Sequence, residues 1–286
     1  MTTRADFRHL ERLRVRWAEV DLQKIVFNGH YLMYLDTAVA GYWRAMALPY
    51  QATMDQLGGD LYVRKATLEY NASARYDELI DVGIKTARIG NSSMVLAGGV
   101  FRGDELLVGG EQVYVVAHPA TQTSLPVPPD LRAVLTAFEA GRPMIDVRIS
   151  SWDLLGRDAA ALRTEVFVAE QKIPAELVWD AADARALHAV AYNRFGLALA
   201  TGRLLEHTPG VSKIGRMAVL APLRGSRIGW AVLDALVRAA RERGDQQVLL
   251  HAQASAEPFF SRSGFVAQGP AIEEAGIPRQ AMVKAL

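Results

Sequence analysis

The sequence predicts a two-part α+β protein, and three observations carry that prediction. In the first half, one strand-like stretch and one long apolar-faced helix precede four strand-like segments set off by turn signals. In the second half, a strand, a glycine-bearing basic loop and an amphipathic helix follow one another over residues 212–243. Between the halves lies HPATQTSLPVPPD, rich in Pro, Ser and Thr, which reads as a linker. At 286 residues the chain is long enough to build two separate cores.

In chain order, residues 11–20 (ERLRVRWAEV) alternate Leu13, Val15 and Trp17 with charged neighbours, the pattern of a half-buried strand. From Tyr31 the apolar residues Leu32, Leu35, Val39, Trp43 and Met46 recur at helical spacing. Asn28 reads as the N-cap of that helix and Pro49 as its stop. At ~1.5 Å per residue such a helix spans about 30 Å, enough to fill the concave face of a sheet. The segments Leu61–Asn71, Leu79–Ile89, Ser93–Arg102 and Leu106–His118 read as an antiparallel meander, with turns at Gly90-Asn91 and Gly103-Asp104. A short helix, Leu131–Glu139, is expected inside a linker of 126–143, with the boundary near Gly141. Beyond it the sequence predicts a helix from Trp152 to about Ala169 and strands at Leu187–Asn193, Leu197–Leu205 and Ser212–Leu220. A loop over Ala221–Ser226 then leads into a helix over Arg227–Arg243, with Gly244 where a C-terminal cap glycine belongs. The halves do not repeat each other.

Composition narrows the function. A net charge of +1 gives no broad attraction to nucleic acid or to an anionic membrane. The absence of cysteine removes disulfides, thiolate metal sites and a cysteine nucleophile, and no metal site is expected. The charged N-terminal stretch lacks the apolar core of a signal peptide, and no apolar run approaches a membrane span, so a cytoplasmic protein is expected.

Two stretches carry chemistry. In the first, Asp21 stands in a turn and Asn28 opens the long helix. A helix start offers unpaired N–H groups and a partial positive charge. Such donors stabilise an oxyanion, and a nearby acid acts as base or nucleophile. Taken alone, such an Asp is more often a turn or capping residue. In the second stretch, the strand–loop–helix of VSKIGRMAVLAPLRGSRIGWAVLDALVRAARERG suits a pyrophosphate held on backbone N–H groups and a helix dipole.

The string VDLQKIVFNGHYLMYLD, residues 20–36, resembles the hot-dog acyl-CoA thioesterases of the 4-hydroxybenzoyl-CoA thioesterase family, as does YNASARYDELIDVG further on. The resemblance implies a hot-dog domain over residues 1–128, with Asp21 as base or nucleophile and backbone donors near Asn28 as the oxyanion hole. It also implies a homodimer or homotetramer, since paired hot dogs share a sheet and build their sites from both subunits. Arg64, Arg75 and Tyr76 are then either pocket or CoA contacts, or solvated strand charges protecting an edge. Lys24 stands where that family usually has glycine.

The second stretch, with HAQASAEPFFSRSGF and EEAGIPRQAM, resembles the GNAT acyltransferases, in particular their ElaA-like branch. That implies a GNAT-type mixed α/β domain over residues 144–286, joined to the first by a linker of 129–143 with its short helix. In such a domain the backbone of Met217, Ala218 and Val219 pairs with the pantetheine of coenzyme A or acetyl-CoA. Arg224, Gly225, Ser226, Arg227, Ile228, Gly229 and Trp230 hold its pyrophosphate. Arg227 replaces the family's mid-loop glycine, and Phe260 replaces the tyrosine that often serves as general acid. Glu170, Asp180, Asp183 and His188 could hold a cationic acceptor or act as base, though isolated residues of these types more often sit at the surface. The combined expectation is an acyl-CoA hydrolase fused to an acetyl-CoA-dependent N-acetyltransferase. The alternative is a thioesterase whose second half only senses CoA species.

Overall fold

The computed structural model describes residues 2–274 and 277–286, and the chain divides into two compact units, Met1–Met144 and Ile145–Leu286. In the first, β1 (His9–Arg14), β2 (Asp60–Tyr70), β3 (Leu79–Ile89), β4 (Ser93–Arg102) and β5 (Glu105–Ala117) form one antiparallel sheet in the order β1-β3-β4-β5-β2. The helix α1 (Asn28–Ala45) packs along β1, β3 and β4, which gives the hot-dog arrangement. β3, β4 and β5 follow as hairpins, as the turn signals predict. β2 is not part of a simple meander, because it pairs with β5 while β3 pairs with β1. The connection over residues 71–78 therefore carries the chain from one edge of the sheet to the far side.

The helix can lie close to the sheet because of where the glycines fall. The pairs Gly98↔Gly110 and Gly99↔Gly109 face each other in β4 and β5. A Cβ on Gly98 would lie 2.5 Å from Leu35 Cδ2, so the missing side chain leaves a notch that Leu35 fills. Leu35, Ala38 and Tyr42 are buried along the same face of α1.

Three local expectations change. β1 ends at Arg14, and Trp17 opens a 3-10 turn, Trp17–Glu19, with its side chain 74% exposed. The turn is fixed by Glu19 Oε2, which accepts from the Arg16 N–H at 2.7 Å and ends the alternation. The long helix stops at Ala45, before Leu48, where Ala47 takes φ +58°, and Pro49 introduces a second helix, α2 (Tyr50–Leu57), that was not anticipated. The helix expected in the linker, α3 (Pro129–Glu139), is packed into the first unit. Its Leu131, Val134, Leu135 and Phe138 are buried, the Tyr42 hydroxyl donates to Glu139, and the Thr86 N–H donates to Glu139 Oε1 at 2.8 Å.

The second unit holds β6 (Ile145–Ser150), β7 (Leu187–Asn193), β8 (Ala198–Thr208), β9 (Val211–Val219), β10 (Gln247–Gln253), β11 (Val266–Ala267), β12 (Ile272–Glu274) and β13 (Ile277–Ala285). The sheet order is β11-β13-β10-β9-β8-β7-β6, with β12 paired to β13. β9 and β10 form its parallel pair among antiparallel neighbours. β6 was not anticipated. The helix predicted to reach Ala169 is α4 (Trp152–Arg163) continued by a π-helical turn, Thr164–Glu170, whose β-branched and aromatic residues favour a regular helix less. On one side, Leu155, Ala159 and Leu162 of α4 pack on Val190 and Tyr192 of β7. The helix α5 (Ile228–Glu242) closes over Gly202 of β8, where a Cβ would lie 2.7 Å from Leu236 Cδ1. A short α6 (Glu257–Arg262) follows β10. Ala275 and Gly276, within the EEAGIPRQAM motif, lie outside the described residues. Among the described residues no helix is long and apolar enough to cross a membrane.

The Leu35 notch generates the first prediction. Glycines on both facing strands leave nothing to collapse into the space, so Leu35→Ala should destabilise the first unit by about 2–5 kcal/mol. The drop is read from its chemical-denaturation midpoint. Leu35→Met, which keeps the volume, should cost less than about 1.5 kcal/mol.

Candidate functional site

In the first unit, a bridge between Val20 and Val26 pinches off the turn that carries Asp21. The Asp21 N–H donates to the Ile25 carbonyl at 2.9 Å, and the Lys24 N–H donates to the Asp21 carbonyl at 2.9 Å. Asp21 Oδ1 accepts from the Gln23 N–H at 2.8 Å, so its carboxylate is held by the turn it belongs to. Lys24 adopts φ +61°, keeping at this position the left-handed backbone that glycine favours. The Phe27 N–H donates to the Glu19 carbonyl at 2.9 Å, which brings the start of α1 back to the neck of the same turn.

Phe27 is the N-cap and Asn28 the first helical residue, so the cap lies one residue earlier than predicted. Phe27 offers no side-chain cap, and within the first turn the His30 N–H donates to the Phe27 carbonyl at 2.9 Å. The Asn28 carbonyl accepts from the Tyr70 hydroxyl at 3.2 Å.

Arg75 is brought to this turn by its bridge with Ile25, and the neighbouring Tyr76 packs edge-on against Trp17 at 5.5 Å. Arg64 instead sits at the β-bulge of the edge strand β2. Glu19 was not singled out from sequence. Burial would raise its carboxyl, but hydrogen bonds from Arg16 and from Tyr34 at 2.7 Å outweigh that and hold it below the ordinary range. The same contact, together with burial, pushes the Tyr34 hydroxyl upward.

In the second unit the site begins where pairing stops. β9 and β10 pair only from Val211↔Gln247 to Ile214↔Leu250. Past that point Arg216 takes φ +53°, and two residues of β9, Arg216 and Met217, stand against Gly202 alone on β8. This β-bulge bends β9 away from β10. The strands part around a cavity of about 1150 Å³, whose lining includes Gly215 to Val219 of β9 and His251 to Gln253 of β10.

The start of α5 closes the cavity. Arg224, Gly225, Arg227, Ile228, Gly229 and Trp230 line it together with Met217, Ala218 and Val219. Of the predicted contacts only Ser226 does not line it, because its hydroxyl turns back to the Leu223 carbonyl. Arg227 caps α5 at φ +66°, again with glycine's backbone conformation. The lining holds five arginines (216, 224, 227, 262 and 279) and, among the described residues, no carboxylate. A helix start joined to that charge favours an anion.

Phe260 lines the cavity and is buried edge-on against Phe259 and Phe265, so an apolar ring occupies the position of the expected acid. His251, also in the wall, lies with Nδ1 3.3 Å from Lys213 Nζ.

The residues offered as acceptor ligands are already engaged. Asp183, 4% exposed, accepts from Arg163 and from Arg203, each at 2.9 Å. Asp180 accepts from Arg203 at 2.7 Å and from Arg216 at 3.1 Å. His188 has no exposed surface. It donates from Nε2 to the Asp183 carbonyl at 2.9 Å, and its Nδ1 faces Arg163 at 3.3 Å. Arg163 can only donate, so Nδ1 accepts and both nitrogens of the imidazole are occupied; burial also lowers its pKa, and the expectation that it acts as base gives way.

Asp180 and Asp183 are corrected likewise: they pair with arginines far away in the sequence. Burial alone would raise both carboxyls, but the arginines outweigh it and hold both below the ordinary range. Glu170 is bound two-pronged to Arg224, at 2.6 and 2.5 Å.

The profile of the acetyltransferase (GNAT) domain matches residues 164–286. An uncharacterized N-acetyltransferase of Bacillus subtilis, YjcF, is 34% identical over 129 residues, covering 45% of this chain and 91% of the relative. The chain belongs to the GNAT acetyltransferases. An uncharacterized acetyltransferase of Streptococcus pyogenes serotype M1 is 29% identical over 104 residues, 36% of this chain and 72% of the relative. The GNAT match covers the cavity and Arg163's hydrogen-bond partners Asp183 and His188, while a second profile, the thioesterase superfamily, matches residues 23–108 of the N-terminal unit. Asp21 lies two residues ahead of that match. A DHNA-CoA thioesterase from Staphylococcus aureus aligns with 46% of this chain and 91% of its own, at 20% identity and a TM-score of 0.42.

The buried network of the GNAT unit generates the second prediction. Asp183→Asn leaves Arg163 buried without its counter-charge, which costs about 3–5 kcal/mol. Denaturation followed by tryptophan fluorescence should show that loss, since Arg163 lies over the rings of Trp152 and Trp179.

Proposed function

We propose that the chain is a bifunctional CoA-thioester enzyme: the first unit hydrolyses an acyl-CoA, and the GNAT unit transfers an acetyl group from acetyl-CoA to an amine. The observation that carries the second activity is the cavity opened by the parting of β9 and β10 and closed by the arginine-rich start of α5. CoA diphosphate would lie against Arg224–Trp230, and pantetheine along Met217–Val219. The amine attacks the thioester carbon; a C–N bond forms, the C–S bond breaks, and the thiolate takes a proton while the amine loses one. Phe260 supplies no proton, so a water or His251, which stands in the wall, takes that role.

In the first unit Asp21 would activate water, or attack the thioester itself, while N–H groups at the start of α1 stabilise the oxyanion. CoA departs as the thiol. A homodimer or homotetramer through this unit is supported by β2, an eleven-residue edge strand with a mostly exposed surface. A second reading, favoured by Phe260 in the acid's position, makes the GNAT unit a CoA-binding regulatory module of a thioesterase.

Two measurements test these readings. Asp21→Asn keeps the shape but removes the base or nucleophile, so CoA release from a good acyl-CoA substrate should fall by about 10²–10⁴-fold with the fold intact. A near wild-type rate would remove Asp21 from the chemistry. In the GNAT unit, Phe260→Tyr restores a hydroxyl and should raise acetyl transfer to a panel of amines. A wild type that is already fast and unchanged by the added hydroxyl would rule out the regulatory reading.

A further inference from the structure

Arg224 has two kinds of partner in the structure. Its Nε donates to the Val219 carbonyl at 3.1 Å, which anchors the side chain at the end of β9. Its two terminal nitrogens donate to the two oxygens of Glu170 at 2.6 and 2.5 Å. Glu170 is the last residue of the π-helical turn and does not itself line the cavity. Both side chains are more than two-fifths exposed. The guanidinium fork accepts a carboxylate or a phosphate with the same geometry, and the same two N–H groups cannot serve both at once.

We propose that Glu170 is an internal competitor in this site: it stands in for a phosphate on Arg224 and must be displaced by the CoA diphosphate. The proposal rests on the reading of this cavity as a CoA site. Because the Val219 carbonyl holds Arg224 independently, Glu170 is not needed to position the guanidinium; its contribution is competition. Every ligand that binds Arg224 through a phosphate meets the same competition, whatever else it contacts. Glu170 thereby lowers the affinity of CoA and ADP alike and leaves a phosphate-free ligand such as pantetheine untouched.

The test is calorimetry on the full chain with CoA, ADP and pantetheine, comparing wild type with Glu170→Gln. The substituted side chain is exposed, so the fold is not at stake. Glu170→Gln should bind CoA and ADP each about two- to fivefold more tightly, the size expected for removing one exposed ion pair. Pantetheine, which carries no phosphate, should bind unchanged. CoA binding equal to or weaker than wild type would mean that Glu170 positions Arg224, and the proposal would fall. So would an equal gain for pantetheine, which would point to a general change in the cavity. A wild type that binds no CoA would instead remove the CoA reading of the unit itself.

Discussion

The C-terminal unit is organised by the point at which two parallel strands stop pairing. β9 and β10 share a ladder only as far as Ile214↔Leu250. Continued pairing would consume the backbone groups of Gly215–Val219 and His251–Gln253 and leave no room between them. The bulge at Arg216 and Met217 breaks the register with β8 and turns β9 aside, which frees polar backbone in a protected cleft. The rest follows from that opening. The loop after β9 crosses its mouth, and α5 starts there with N–H groups that no earlier turn can satisfy. The three arginines Arg216, Arg224 and Arg227 border the same opening.

Among the basic residues in the left-handed backbone that glycine adopts without strain, two take the place of a glycine. Lys24 (φ +61°) and Arg227 (φ +66°) both stand where the family patterns call for glycine. A left-handed conformation at a residue with a side chain costs on the order of 1–3 kcal/mol and persists only where the surroundings dictate it. For Lys24 the surroundings are the paired hydrogen bonds between Asp21 and residues 24 and 25, closed by the Val20–Val26 bridge. For Arg227 they are the 3-10 turn Ala221–Leu223 and the Leu223 carbonyl, which accepts the Ser226 N–H. The loop shapes are therefore set by their hydrogen bonds, and the substitutions add a cation without changing the turn.

Much of this architecture was legible because it is periodic or punctuated. The strands β3, β4 and β5, the helix α5 and the Gly244 cap follow from alternation, helical spacing and turn residues. The order of the first sheet was not, because β2 pairs with β5, a partner some fifty residues away that no local pattern names. β6 carried a readable signal, Ile145, Val147 and Ile149 at every second position, obscured by its nearness to the linker. At the sites, nine of the ten predicted CoA contacts gather on one cavity because they belong to one contiguous stretch. Glu19, Arg163 and Arg203 went unnoticed because nothing in their neighbours announces that they are buried.

The acids of the GNAT unit show why. From sequence, Glu170, Asp180, Asp183 and His188 are equivalent candidates for holding a cation. What separates them is the location of arginines that are distant in the chain. Arg163, Arg203 and Arg216 bring three positive charges and Asp180 and Asp183 bring two negative ones, so the ion-paired groups keep one positive charge. An amine acceptor gains no attraction from it. Glu170 differs because it pairs with a single arginine and both partners face water, where an ion pair exchanges at small cost. The same two residue types thus fix the fold where water is excluded and stay exchangeable where it is admitted.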